Sequence, residues 1–157
     1  MVINLKKFIL YLALPLITGG LSAFISRGGI ASYSALSKPP LSPPAWLFPI
    51  VWTLLFILMG ISSYIASNAP ASALKSRALR LYRLQLFVNF LWPIFFFNYK
   101  LYFFSFLWLL LLWFLILGTI MSFSRLSRIA ANLLIPYLLW VTFAGYLNLA
   151  VFFLNRA

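Results

Sequence analysis

Between Leu101 and Phe123 the chain runs for 23 residues without a charge. A helix of that length crosses a bilayer core about 30 Å thick, and uninterrupted apolar runs of about 18 or more mark membrane spans. Four other segments have the same character. Together they predict spans at 6–26, 45–67, 78–98, 101–123 and 128–154. The segments are long and Leu-rich and lack a two-residue alternation, so they are helices and not strands. The expected fold class is an all-α integral membrane protein, a five-transmembrane-helix bundle forming one domain over residues 1–157. Composition agrees: 65 % of residues are hydrophobic and 8 % charged, whereas a soluble domain carries about a quarter charged residues. Lys6 and Lys7 precede an apolar stretch as in a secretory signal. No small-residue cleavage site follows, so this stretch is expected to stay as the first span.

Twelve Lys and Arg stand against no Asp or Glu, a formal charge of +12. The cations are scattered singly at the ends of apolar runs. That pattern fits snorkelling side chains that fix topology, and no nucleic-acid partner is expected. With five spans, Lys6, Lys7, Lys75, Arg77, Arg80, Arg83, Arg125 and Arg128 share one side. Arg27, Lys38, Lys100 and Arg156 share the other. The imbalance places the N-terminus inside. A bacterial cell membrane is the expected location.

Missing residue types limit the chemistry. Without Asp, Glu, His or Cys, the usual metal ligands and general acid–base groups are lacking. Ser–His–Asp and Cys–His devices are excluded, as are carboxylate proton relays. No metal site and no resident cofactor are expected.

The connections differ in character. Residues 27–44 contain Gly28-Gly29 and the run Lys38-Pro39-Pro40-Leu41-Ser42-Pro43-Pro44. Proline fixes φ and lacks an N–H, so a stiff, extended, lid-like loop is predicted. A polar link follows at 68–77, a tight turn near Asn98-Tyr99-Lys100, and a short link at 124–128.

Polar and aromatic residues inside apolar helices carry the functional signal, since each costs free energy unless paired or facing a cavity. Gln85, Asn89 and Trp92 fall on one helical face by spacing, Tyr137, Trp140, Ala144 and Asn148 on another, and Trp52, Phe56 and Ser63 on a third. Gln85, Asn89 and Asn148 read equally well as interhelical glue or as ligand contacts. Trp108 and Trp113 are expected to face lipid or the interface, and Trp46 to sit in an aromatic belt. Pro93 and Pro136 are expected to bend their spans. Gly19/Ala23, Ser62/Ala66 and Gly118/Ser122 permit close helix approach within or between monomers.

Three blocks carry a resemblance. Leu36-Ser37-Lys38-Pro39, Pro43-Pro44, Phe48 and Trp52-Thr53-Leu54-Leu55-Phe56 with Met59-Gly60 form the first. Gln85-Leu86-Phe87-Val88-Asn89-Phe90-Leu91-Trp92-Pro93 with Phe95-Phe96 form the second. Pro136-Tyr137-Leu138-Leu139-Trp140, Phe143-Ala144 and Leu147-Asn148 form the third. In order and spacing they resemble the translocator protein (TspO/MBR) family, whose bacterial members are called tryptophan-rich sensory proteins. The resemblance implies a five-helix bundle, often dimeric, with a ligand cavity under the first loop. It implies binding of porphyrins and related hydrophobic ligands, with Trp52, Asn89, Trp140 and Ala144 lining the pocket. Light-dependent degradation of protoporphyrin IX is reported for some bacterial members, and Trp52 and Trp140 are the candidate catalytic residues for it. The family's usual Trp-Tyr pair before the Lys-Pro motif is Ser32-Tyr33 here, its loop aromatic is Leu41, and Phe97 stands where Gly is usual.

The ligand-binding candidates are thus Tyr33, Trp52, Phe56, Gln85, Asn89, Trp92, Tyr137, Trp140, Ala144 and Asn148. A flat, apolar macrocycle with anionic edges would stack on the aromatic walls, and Lys38 or Arg27 would pair with its carboxylates. The expected partners are a porphyrin or other hydrophobic small molecule, membrane lipid and a second copy of the chain. A transporter or regulator of tetrapyrrole or lipid flux, and a structural membrane subunit, are the alternatives.

Overall fold

The computed structural model describes residues 4–156. It is helical throughout, with α1 at Leu5–Ser32, α2 at Leu47–Ser67, α3 at Ala73–Pro93, α4 at Tyr102–Ser124, the short α5 at Arg128–Asn132 and α6 at Ile135–Leu154. Four segments are long and apolar enough to cross a membrane: Leu5–Ala35, Leu47–Ser67, Tyr102–Ser124 and Arg128–Leu154. Their outward faces carry large apolar side chains such as Leu10, Ile17, Phe114 and Leu139. Faces of that size are lipid-facing or interaction surfaces, and the chain is an integral membrane protein. The third helix falls outside this group. Its first half carries Lys75, Arg77, Arg80 and Arg83.

Contacts at the two ends of the bundle fix an up-and-down order. At one end, the Asn4 N–H donates to Tyr64 Oη and Lys7 Nζ to Asn68 Oδ1, at 3.1 and 2.7 Å. At the other, Asn98 Nδ2 donates to Ile25 O at 3.2 Å, and Ser37 meets Asn155. The closely packed neighbours are α1 with α2, α3 with α4, and α4 with α6. Small residues allow these approaches. Gly19 lies under the Phe56 ring, Gly60 against the α1 backbone at Leu12, and Gly118 beside Leu81. Ser62 Oγ donates to Ala130 O at 2.6 Å. One member of each small-residue pair, Gly19, Ser62 and Gly118, thus packs within the chain, while Ala23 stays exposed.

Several boundaries differ from expectation. The first loop does not begin at Arg27: α1 continues to Ser32 and a 3₁₀ turn runs over Tyr33–Ala35. Two adjacent glycines weaken a helix but do not stop it, and only the proline run does. The irregular loop is residues 36–46. Within it, Ser42 N donates to Pro39 O and Leu41 holds φ at 69°, a turn position that favours Gly or Asn. The third helix starts at Ala73 and not at residue 78, because the Ser72 side chain accepts from Lys75 N and caps it. It ends at Pro93, where a π-helical turn, Ile94–Asn98, takes over. The last span is broken into α5 and α6, and Pro136 sits in the first turn of α6, where its missing N–H is tolerated. It starts a helix there and does not bend one.

Candidate functional site

Phe48, Trp52 and Phe56 recur every fourth residue along α2, so their rings lie on one face. That face looks toward α6. The Trp52 and Phe56 rings stack with centroids 5.6 Å apart, and Trp52 meets Tyr137 edge-on at 6.2 Å. One turn earlier, Phe48 meets Trp140 at 5.9 Å. The backbones of α2 and α6 are not among the closely packed pairs. The two helices stand apart and aromatic side chains bridge the gap. Trp52 and Trp140 are half-buried and packed against the core. They turn inward and not toward acyl chains.

Tyr137 is the polar centre of this cluster. It is buried. Asn89 Nδ2 donates to its hydroxyl oxygen at 2.6 Å, and the hydroxyl donates to Gln85 Oε1 at 2.8 Å. The three residues link α3 to α6. Lower-dielectric surroundings make such a chain costly to break. Four buried polar atoms lack a partner among the described residues, Ser26 Oγ, Tyr82 Oη, Gln85 Nε2 and Trp140 Nε1, and the last two are donors in this cluster.

A second link lies a turn away. Trp92 Nε1 donates to Asn148 Oδ1 at 3.0 Å, and Asn148 Nδ2 donates to Tyr102 O at 2.7 Å. Trp92 also stacks on Phe96 at 5.3 Å. Asn148 is fully engaged between helices, as the glue reading expects. Ala144 is buried in the same hydrophobic core. Tyr33 joins the cluster from the loop side, meeting Phe48 at 6.3 Å and Phe97 at 5.8 Å.

The loop is latched over this end. Ser37 N donates to Asn155 Oδ1 at 3.1 Å and Asn155 Nδ2 to Ser37 O at 3.0 Å. Tyr146 Oη donates to Pro40 O at 3.0 Å. Lys38 Nζ lies 5.0 Å from the Tyr33 ring centre and donates to Ser34 O. Of the two rim cations, Lys38 is therefore beside the cluster. Arg27 instead covers Phe24, which is exposed on the outer face of α1.

The structure brings all ten ligand-binding candidates to one half of the bundle, but it does not leave a hollow among them. The space between α2, α3 and α6 is filled by the aromatic rings themselves. A separate cavity of about 30 Å³ lies beside it, lined by Gly29, Tyr33, Phe96, Phe97 and Tyr102 among others. Its size suits a water molecule.

Phe48, Phe96 and Phe97 belong to the cluster but are absent from the candidate set. Phe48 was findable, lying one turn before Trp52 on the same stripe. Phe96 and Phe97 sit in the π turn, whose five-residue repeat breaks helical spacing. Trp108 corrects an expectation: it is half-buried and donates inward, to Val88 O at 2.8 Å. Trp113, also half-buried, donates at 2.8 Å to the exposed Thr142 Oγ1 on α6, at the outer surface of the bundle. Trp46 is 65 % exposed at the start of α2, as a belt residue would be.

The stretch of chain that carries these residues is similar to known proteins. The family model for the TspO/MBR family matches residues 11–154, which take in the site and its loop. The tryptophan-rich protein TspO of Chlorobaculum tepidum is 37 % identical over 136 residues, 85 % of each chain. Protein CrtK of Rhodobacter capsulatus is 38 % identical over 154 residues, 97 % of this chain and 94 % of its own. The translocator protein of Bos taurus is 38 % identical over 138 residues, 86 % and 82 % of the two chains. With nearly all of its helical bundle matched and its aromatic seam within the matched stretch, the chain belongs to the TspO/MBR family.

Proposed function

We propose that this protein binds a porphyrin, or a similar flat hydrophobic ligand, between α2, α3 and α6 beneath the 36–46 loop. One observation carries the reading: α2 and α6 are not among the closely packed pairs, and the rings of Phe48 and Trp52 meet those of Trp140 and Tyr137 across the gap. Rings that bridge two separated helices can rotate aside and then stack on an inserted macrocycle. Gln85 Nε2 and Trp140 Nε1 supply buried donors without partners, so a ligand acceptor would gain two hydrogen bonds there. Lys38, beside Tyr33, is the cation placed for an anionic edge. Entry requires the loop latch to release.

This reading includes five crossings. The ends of α3 lie at the same two ends of the bundle as those of α4, and its arginines fall in its first half. It also places the N-terminus inside a bacterial cell membrane, on the distribution of cations. A homodimer rests on the family resemblance.

Titrating the purified protein with protoporphyrin IX tests it. Tryptophan fluorescence should quench saturably at micromolar ligand. Trp52→Phe with Trp140→Phe should weaken binding about tenfold, the equivalent of about 1.4 kcal/mol lost from two stacking indoles. Unchanged affinity and quenching in that double variant place the ligand elsewhere. Illuminating the complex in air adds the catalytic arm: bleaching beyond that of free porphyrin, lost in the double variant, assigns Trp52 and Trp140 to the chemistry.

A further inference from the structure

A second surface feature lies outside the aromatic cluster. A groove of about 360 Å³ opens between the start of α4 and the end of α6. Lys100 and Arg156 line it, together with Phe103, Phe104 and Phe152. We propose that this groove holds one anionic phospholipid, with its phosphate between Lys100 and Arg156 and an acyl chain along the three phenylalanines.

Charge complementarity selects the occupant. The protein has no acidic side chain, so no side-chain carboxylate competes for these cations. Lys100 stands in the tight turn before α4 with φ at 54°, which projects it from a fixed backbone position. The Arg156 guanidinium lies 4.4 Å from the Phe153 ring centre and 5.2 Å from that of Phe152. The rings hold it at the groove, and its guanidinium makes no hydrogen bond among the described residues; a planar guanidinium is suited to phosphate. Basic pockets between transmembrane helices on the cytoplasmic side take anionic head groups, and the same charge attraction acts on a head group at this end of the bundle.

The apolar wall selects a lipid over a free anion. The Phe103 and Phe152 rings meet at 5.1 Å, joining α4 to α6. Phe103 and Phe104 are exposed and Phe152 is half-buried. Inorganic phosphate would use only the cations and leave this wall uncovered. A phospholipid covers both, with head group at the turn and chain running toward the membrane interior.

The site also adjoins the loop latch, because Asn155, which holds Ser37, lines the same groove. It is distinct from the aromatic seam and does not depend on porphyrin binding.

Native mass spectrometry of the purified full chain in detergent reads this directly, with phosphatidylglycerol, phosphatidylcholine or inorganic phosphate added in turn. The unaltered protein should retain one phosphatidylglycerol about tenfold or more in preference to phosphatidylcholine, the scale expected of two cations at a membrane surface. Lys100→Asn with Arg156→Gln should abolish that preference while leaving the circular dichroism spectrum unchanged. Asn tolerates the positive φ. Arg125→Gln with Arg128→Gln, at the opposite end, should keep it. Equal retention of the two lipids overturns the proposal. So does a Lys100/Arg156 double variant that keeps the preference, or displacement of the lipid by equimolar inorganic phosphate.

Discussion

Lys7 and Lys75 donate to the same carbonyl oxygen, that of Ser67, each at 3.2 Å. The oxygen belongs to the last residue of α2, where carbonyls lack helical partners and the macrodipole is negative. Lys7 also reaches Asn68 Oδ1, and Lys75 reaches Ala69 O at 2.8 Å. In a chain without acids, helix C-termini take the place of carboxylates as partners for cations.

Two donors on one acceptor predict non-additive loss. Lys7→Met or Lys75→Met alone leaves Ser67 O satisfied and relieves like-charge repulsion. Each should cost less than about 1 kcal/mol. The double variant orphans the carbonyl and should cost more than the two single losses combined. Thermal unfolding in detergent measures all three, and simple additivity would mean the lysines act independently.

Tyr137 gives the second prediction. Tyr137→Phe leaves Asn89 Nδ2 and Gln85 Oε1 buried without their partner, which should destabilise the bundle by about 2 kcal/mol. Gln85→Leu removes one of these bonds, but it also removes an amide nitrogen that is already unpartnered. It should cost less than about 1 kcal/mol. A Gln85→Leu loss exceeding that of Tyr137→Phe would show that Gln85 Nε2 has a partner in the membrane.

Those two cases mark what was legible in the sequence. The helical class, the aromatic stripes and the placing of Gln85 and Asn89 on one face follow from spacing, because a helix puts i and i+4 side by side. Which role each polar residue takes does not, since a donor's partner sits on another helix. Trp92 and Asn148 bond each other, and their stripes gave no sign of it. Trp108 differs from expectation for the same reason: an indole inside an apolar run looks the same whether its N–H faces lipid or a neighbouring helix. Lys7 and Lys75 were read as snorkelling outward, whereas their ammonium groups fold back onto α2.

The loop latch yields a third prediction. Asn155→Ala removes both bonds to Ser37. Two exposed hydrogen bonds are worth about 1 kcal/mol each, so opening of residues 36–46 should become about tenfold or more frequent. Hydrogen exchange at Ser37, Lys38 and Leu41 reports it. Tyr146→Phe removes a single bond, to Pro40 O, and should have a smaller effect. Equal exchange in all three proteins would mean the proline run alone holds the loop. If the loop also gates the aromatic seam, Asn155→Ala should speed porphyrin association in stopped-flow quenching.

The glycine pair in α1 supplies the sharpest contrast, because two adjacent positions should respond with opposite signs. At Gly28 an added methyl meets nothing. Alanine there gains helix propensity, about 1 kcal/mol in an exposed helix interior, so Gly28→Ala should raise the unfolding temperature. At Gly29 the methyl would drive into the backbone of Phe97, in the π turn that packs on α1. Backbone cannot swing aside as a side chain does, so the two segments must separate. Overpacking of this kind costs about 1–3 kcal/mol, which outweighs the propensity gain. Separation would also disturb Tyr33 and Phe96, which share the small cavity with Gly29. Gly29→Ala should therefore lower both the unfolding temperature and the affinity for protoporphyrin IX, while Gly28→Ala leaves affinity unchanged. If both substitutions stabilise the protein equally, α1 does not lie against the π turn, and the described packing at the loop end of the bundle is wrong.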